Sequence, residues 1–255
     1  MLSKNQIKFV NSLKQKKFIQ EHGLFIAEGT KVVEELMKSS IKVKDIYGTS
    51  DFFRKTPIDK SINRFEIKES ELERISAFAT PNEVLAVCEI PVHQLEASFL
   101  NNKLTLVLDD IKDPGNLGTI IRIADWFGIE TIICSTETVY AFSPKVVQAT
   151  MGSIARIKLH YVDLSSFFKV QNLKFKVQSF GALLNGENIY SKQLPSSGFI
   201  VIGNESKGIS ESVLPFITDK ISIPSFSHFK TDGGEAESLN AAIATSIICS
   251  EFRRR

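Results

Sequence analysis

The chain has 255 residues, 43% of them apolar and 24% charged, and a formal net charge of +2. That length holds one large domain or two ordinary ones, with the composition of a soluble globular protein. No apolar run approaches the roughly 20 residues that span a bilayer, so no membrane segment is expected. The lysine-rich start lacks an apolar core followed by a small-residue cleavage site, so no secretory signal is expected either.

Residues 4 to 18 fit one amphipathic helix, with Ile7, Val10 and Leu13 on one face and lysines mostly on the other. Gly23 marks its end, and Leu24 to Ala27 reads as a strand. Glu28-Gly29-Thr30 leads into a second helix with Val32, Val33, Leu36 and Met37 as its stripe. Val43 to Tyr47 and Asn63 to Ile67 are short strands, Ser70 opens a third helix at Glu71, and Val84 to Ile90 is a further strand. These alternating elements form a small α/β unit ending near Pro91, and residues 92 to 102 read as a boundary. The division expected is residues 1–95 and residues 103–255.

The second half is a cleaner α/β pattern. Leu104 to Leu108 is a strand, Asp113 to Gly118 a turn, and a helix follows with Ile120, Ile121, Ala124 and Phe127 inward until Gly128. Thr131 to Cys134 is a strand, Pro144 to Ala155 a helix, and Ile157 to Tyr161 and Val177 to Phe180 are strands. Phe199 to Ile202 is a buried strand running into Gly203-Asn204-Glu205-Ser206-Lys207-Gly208. Here Gly203 is expected to make the turn and Gly208 to admit a second backbone segment. Ile221 to Pro224 is short and extended, and Ser238-Leu239-Asn240 opens a last helix, apolar nearly all round and therefore expected to be buried, with Ser238 as its N-cap. Strands alternating with helices imply a mainly parallel sheet covered on both faces.

Charge is unevenly placed. Met1 to Gln20 holds Lys4, Lys8, Lys14, Lys16 and Lys17 without an acid, and the chain ends Arg253-Arg254-Arg255. Such clusters neutralise phosphates, although a solvated helix face and a frayed tail explain them equally well on charge alone. Cys88, Cys134 and Cys249 are odd in number and widely spaced, which excludes a CxxC pair and points to a reducing compartment. His22, His93, His160 and His228 show no metal-ligand spacing, so no metal site and no histidine-centred triad are expected.

Three polar sites fall at strand-to-helix junctions: Asn116 with Arg122, then Asn204-Glu205, then Ser238 with Asn240. In open α/β sheets ligands bind at the carboxyl ends of strands. An arginine placed there clamps phosphate with a planar fork. Each site alone also reads as a cap, a turn asparagine or a solvated arginine. A dinucleotide fingerprint is absent, because the glycines after Leu108 are spaced Gly115-x-x-Gly118.

Taken together, the three sites resemble a known family. Asp113-Pro114-Gly115-Asn116-Leu117-Gly118 with Arg122, Ala124-Asp125 and Phe127-Gly128 is similar to the first motif of the SpoU (TrmH) RNA 2′-O-ribose methyltransferases. Ile202-Gly203-Asn204-Glu205 with Gly208-Ile209-Ser210 resembles their second motif. Ile223-Pro224 and Glu237-Ser238-Leu239-Asn240 with Ala242 and Ala244 resemble their third. The first half is similar to the small substrate-binding domain often attached to this family, through Gly23-Leu24-Phe25, Glu28-Gly29, Thr80-Pro81 and Val84 to Val87.

This resemblance implies an α/β fold: a C-terminal, SPOUT-type knotted parallel-sheet methyltransferase domain and a small N-terminal α/β domain. It implies a cytoplasmic homodimer that uses S-adenosylmethionine and acts on structured RNA, rRNA before tRNA. Carried over by motif, Arg122 is the central catalytic residue, with Asn116, Glu205, Ser238 and Asn240 around it. Ala182, Leu183, Gly203, Ile223 and Leu239 line the donor pocket. Lys14, Lys16, Lys17 and Arg122 contact RNA. An attacking ribose hydroxyl must lose its proton, and Arg122 either accepts it or orients a phosphate and stabilises the alkoxide. The sequence departs from the family in two places. An extra stretch, Ser225 to Thr231 with Phe226, His228 and Phe229, reads as a lid, an aromatic RNA contact or a surface loop. Ile19 stands where relatives often carry arginine after a Lys-aromatic pair. The alternatives are an RNA-binding protein of the same fold without catalysis, and a nucleotide-dependent enzyme on an ordinary doubly wound sheet.

Overall fold

The structure is a computed structural model that describes residues 1–95, 100, 102–226 and 238–254. It divides into two compact units, Met1–Val92 with Tyr140–Arg156, and His93–Val139 with Ile157–Arg255.

The first unit holds α1 (Lys4–Ser12), α2 (Lys16–His22), β1 (Leu24–Glu28), α3 (Thr30–Met37), β2 (Val43–Gly48), α4 (Ser50–Lys55), β3 (Asn63–Glu66), α5 (Glu69–Ile75) and β4 (Val84–Glu89). Its sheet runs β1-β4-β2-β3, with β4 antiparallel to both neighbours and β2 parallel to β3. Val10, Leu13, Ile26, Leu72, Leu85 and Val87 share one core cluster.

The single helix expected over residues 4–18 is two. Leu13 closes α1, and Gln15, at φ −110° and ψ 129°, starts α2. Leu13 and Ile19 are both fully buried, yet on one continuous helix they would lie about 120° apart. Breaking the helix turns both inward. The third helix begins at Glu69 rather than Glu71, because the Glu71 carboxylate reaches back to the Lys68 amide at 3.3 Å and fixes an earlier start.

The second sheet is built from β5 (Leu104–Leu108), β6 (Thr131–Ser135), β7 (Lys158–Val162), β8 (Ser179–Asn188), β9 (Gly198–Ile202) and β10 (Asp219–Ser222). Its helices are α6 (Pro114–Trp126), α8 (Leu164–Lys174) and α9 (Ala241–Arg253). The intervening α7 (Pro144–Thr150) groups with the first unit, where Phe142 packs on Phe25 of β1 at 5.1 Å. It stops at Met151, whose φ is +51°, and a short 3-10 turn over Ser153–Ala155 replaces the rest of the expected helix.

All pairings in this sheet are parallel, in the order β10-β8-β9-β5-β6-β7. From β5 the chain moves outward through β6 to β7, then crosses to the other side for β8, β9 and β10. The reversal falls between β5 and β9. Phe168, Phe199, Val107, Ile133 and Val201 fill the core on one face. Full burial of a side chain such as Phe199 contributes roughly 1.5–3 kcal/mol. The last helix is not buried all round, since Ile243 is 53% exposed and Ser250 also faces solvent.

Candidate functional site

A cavity of about 430 Å³ lies at the carboxyl ends of β8, β9 and β10. Its wall begins with an irregularity in β8. Against consecutive Lys220 and Ile221 of β10, the β8 partner jumps from Gly181 to Glu187. Residues 182–186 are thereby out of register, and a bulge of this kind re-aims side chains. Ala182, Leu183, Leu184 and Asn185 line the cavity as a result. The strand was expected to end at Phe180, so Ala182 and Leu183 lie within β8 rather than after it.

The loop after β9 forms the floor. Asn204 and Gly208 pair through both backbone groups, at 3.0 and 2.8 Å. A Cβ on Gly203 would stand 2.3 Å from the Gly208 carbonyl carbon, so Gly203 is where the returning backbone approaches. Gly208, at φ +70° with open space around it, supplies the turn. The roles of the two glycines are thus the reverse of those expected. Asn204 ties this loop down: its Nδ2 donates to the Asp110 carbonyl at 2.9 Å, and its Oδ1 accepts from the Ser206 and Lys207 amides. The buried Asp109 carboxylate accepts from the Ser210 amide at 2.8 Å.

The third wall is Ser222 at the end of β10 and Ile223 after it, with Ser238, Leu239 and the first turns of α9. Asn240, not Ser238, caps α9, accepting from the Ala242 and Ile243 amides at 3.0 and 3.3 Å. Its Nδ2 then remains free to donate to Asn116 Oδ1 at 2.8 Å. Asn116 sits in the first turn of α6, whose N-cap is Asp113, so Pro114 to Asn116 are helical where a turn was expected. Asn116 Nδ2 in turn donates to the Glu205 carboxylate. Residues from three separated segments therefore form one chain, Asn240 to Asn116 to Glu205. Both ends of the Asn116 amide are used, which fixes how it faces.

Every residue expected at the donor pocket lines this cavity: Ala182, Leu183, Gly203, Ile223 and Leu239, with Glu205 and Ser238 beside them. Arg122 does not line it. It lies on the exposed stripe of α6 with Thr119 and Trp126, and among the described residues no hydrogen bond or ion pair holds it. Lining residues missed in the sequence include Leu184, Asn185, Ile202, Lys207, Ile221, Ala244 and Ile248. Ala244 and Ile248 follow Ala241 at helical spacing, a signal that was legible; the β8 bulge was not. Ser225 and Phe226 are described, and Phe226 is 75% exposed. The rest of the extra stretch, including His228 and Phe229, lies outside the described residues, as does Glu237.

The expected RNA-contacting lysines diverge. Lys14 Nζ donates to the Ser76 carbonyl at 2.5 Å. Burial pushes its ammonium below the ordinary lysine value, partly offset by the Glu28 carboxylate. Lys16 and Lys17 are exposed, over the rings of Tyr140 and Phe18 respectively. Among the described residues no group of three His, Cys, Asp or Glu side chains gathers to hold a metal, and no helix is long and apolar enough to cross a membrane.

Comparison with known proteins matches residues 103–250 to the SpoU rRNA methylase family and residues 4–86 to the MRM3-like substrate binding domain. The chain is 30% identical over 254 residues to the Bacillus subtilis 23S rRNA (guanosine(2553)-2′-O)-methyltransferase RlmP, covering 98% of this chain and 97% of that protein. Among solved structures, a TrmH-family RNA methyltransferase of Porphyromonas gingivalis described as putative superposes with a TM-score of 0.87 at 37% identity, over 100% of this chain and 99% of that one. An AdoMet-bound rRNA methyltransferase of Sinorhizobium meliloti gives a TM-score of 0.83 at 30% identity, over 100% and 96%.

Proposed function

Because this chain belongs to the SpoU rRNA methylase family, we propose that it transfers a methyl group from S-adenosylmethionine to a ribose 2′-hydroxyl of structured RNA, rRNA before tRNA. The observation that carries the reading is the chain Asn240 to Asn116 to Glu205, which joins all three motifs at the edge of one cavity.

The cavity fits the donor. Its volume of about 430 Å³ lies in the range of small-molecule sites. Ile202, Ile221, Ile223 and Leu239 offer apolar walls for a nucleoside base, and the backbone of residues 203–208 offers amide and carbonyl groups. Ala182, Leu183, Gly203, Ile223 and Leu239 would hold the molecule. When bound, S-adenosylmethionine supplies an electrophilic methyl group on a sulfonium sulfur.

The residues then divide the work. Asn116, held at both ends, and Glu205 set the rim against which the ribose is aligned; alignment of this kind is worth a large part of such barriers. Asn240 and Ser238 hold the third loop on the same side. Arg122 clamps the phosphate beside the target ribose with its planar fork and stabilises the alkoxide that develops as the hydroxyl proton passes to solvent. Lys16 and Lys17 offer further phosphate contacts, with Lys14 contributing less reach because its ammonium already donates to Ser76.

We read the protein as a homodimer, supported by Trp126 and Ile243, which are 85% and 53% exposed on α6 and α9. The threaded backbone belongs to the same reading. Three buried free cysteines suit a reducing, cytoplasmic setting. No metal is required by this chemistry.

The test uses labelled S-adenosylmethionine, the purified protein and unmodified total RNA, digested to nucleosides. A labelled 2′-O-methylnucleoside that disappears with Arg122→Ala is expected. Donor binding and a folded dimer without any labelled nucleoside, on RNA or on ribosomal particles, would favour an RNA-binding protein of the same fold.

A further inference from the structure

The first unit carries three rings gathered at the junction of α1 and α2. His22, the last residue of α2, is exposed, yet its ring is ordered from two sides. Phe18 lies stacked with it at 6.5 Å between centroids and 17° between planes. Phe9 of α1 meets it edge-on at 5.5 Å and 65°. Phe9 itself packs on the buried cluster of α1, β1 and α5 and anchors the group. Lys17 holds its ammonium 5.7 Å from the Phe18 ring centre, and exposed Lys8 adjoins Phe9. Glu21 is the single acid among residues 1–22.

A lone exposed histidine is ordinary, but this one stands against two aromatic rings, with the Lys17 ammonium over one of them. Single-stranded RNA is held by that pairing: flat rings for its unpaired bases and positive side chains for the adjoining phosphates. Because the rings are already ordered by each other, little side-chain freedom remains to be lost on binding. We propose that Phe9, Phe18 and His22 form a stacking platform for one unpaired base of the RNA substrate, with Lys17 and Lys8 taking the phosphates beside it. The proposal rests on the RNA reading above and adds a base-sensing contact remote in sequence from the methyl-transfer residues.

The test compares two eight-residue oligouridylates, one carrying a single 2-aminopurine and one abasic at that position. For the wild-type protein the base-containing strand is expected to bind roughly tenfold more tightly, with its fluorescence quenched by stacking. His22→Lys, which replaces the ring with a flexible ammonium chain, is expected to erase the preference and the quenching. His22→Tyr should retain both. Phe18→Leu, which keeps the apolar volume, is the second variant should His22→Lys unfold. Lys17→Gln should weaken both strands equally and lower the salt slope by about one unit. Equal binding of the two strands by the wild type, a preference that survives both ring removals, or no binding of either strand would overturn the platform. Methyl transfer to full-length RNA judges the underlying reading separately, so an active enzyme without base preference removes the platform alone.

Discussion

The two sheets are made of similarly apolar strands and differ in direction. In the four-stranded sheet β1, β2 and β3 run one way and β4 runs against them, so the chain leaves β4 at the edge opposite the other three. In the six-stranded sheet every pairing is parallel, so the loops after β5, β8, β9 and β10 leave from one edge. The apolar-walled cavity forms on that edge. The first unit instead offers an exposed corner of rings and lysines on α1 and α2. One unit is thus suited to enclosing a small molecule and the other to gripping an extended polyanion.

The largest effect that sharpens this contrast should come from Gly203→Ala. A Cβ there would overlap the Gly208 backbone at 2.3 Å, and backbone cannot step aside as a side-chain tip can. Loss of S-adenosylmethionine affinity by at least about 100-fold is expected by calorimetry, since small displacements of a site are costly. RNA binding by the first unit should be unchanged; a variant that still binds the donor would show that the floor of the cavity lies elsewhere.

Asn116→Ala comes next. It leaves the Glu205 carboxylate without its amide partner, although Asn116 does not itself line the cavity. Turnover should fall roughly 100-fold, with donor affinity within about threefold. Equal losses in both would move Asn116 from aligning the reaction to shaping the pocket.

Charge reversal at the arm separates its lysines. Lys16→Glu with Lys17→Glu should weaken RNA binding and reduce the salt slope by up to about two units, with the melting temperature unchanged. Lys14→Glu should lower the melting temperature first, because its ammonium is partly buried on the Ser76 carbonyl with Glu28 nearby. The same loss of RNA affinity from all three, without any melting difference, would restore the simpler picture of one basic patch.

The smallest effect concerns acid. His160 of β7 is held below the ordinary imidazole range by burial, then by His93 and Lys158. Burial and Lys158 lower His93 in the same way. Both rings are therefore neutral in the folded protein where the unfolded chain would bind protons. Their contribution is present above about pH 6.5 and is lost as pH falls through the lower folded values. Thermal melts should shift down across that window, and His160→Gln should flatten the shift.

Much of the site is legible in the amino-acid sequence. Asn116, Glu205 and Asn240 stand out as polar residues at strand ends, and the spacing of three motifs carries the family. The glycines around Asn204 announce a tight loop, but not which of them admits the other's backbone. That distinction depends on φ and on contacts across the loop, which letters do not encode. Ser238 looks like the cap of α9 because serine is a good cap; Asn240 takes the position because its amide can cap the helix with oxygen and reach Asn116 with nitrogen.

Local chemistry in the sequence therefore determined the alternating α/β pattern, the junctions that bear the polar residues, and the basic arm. Only the tertiary structure decided that α1 and α2 are separate, that residues 182–186 leave the β8 register, and that Arg122 lies on an exposed helix stripe apart from the cavity. The reason is physical. Periodicity and capping act within a few residues, whereas a bulge, a helix break and a hydrogen-bonded bridge across 124 residues are settled by what packs against them.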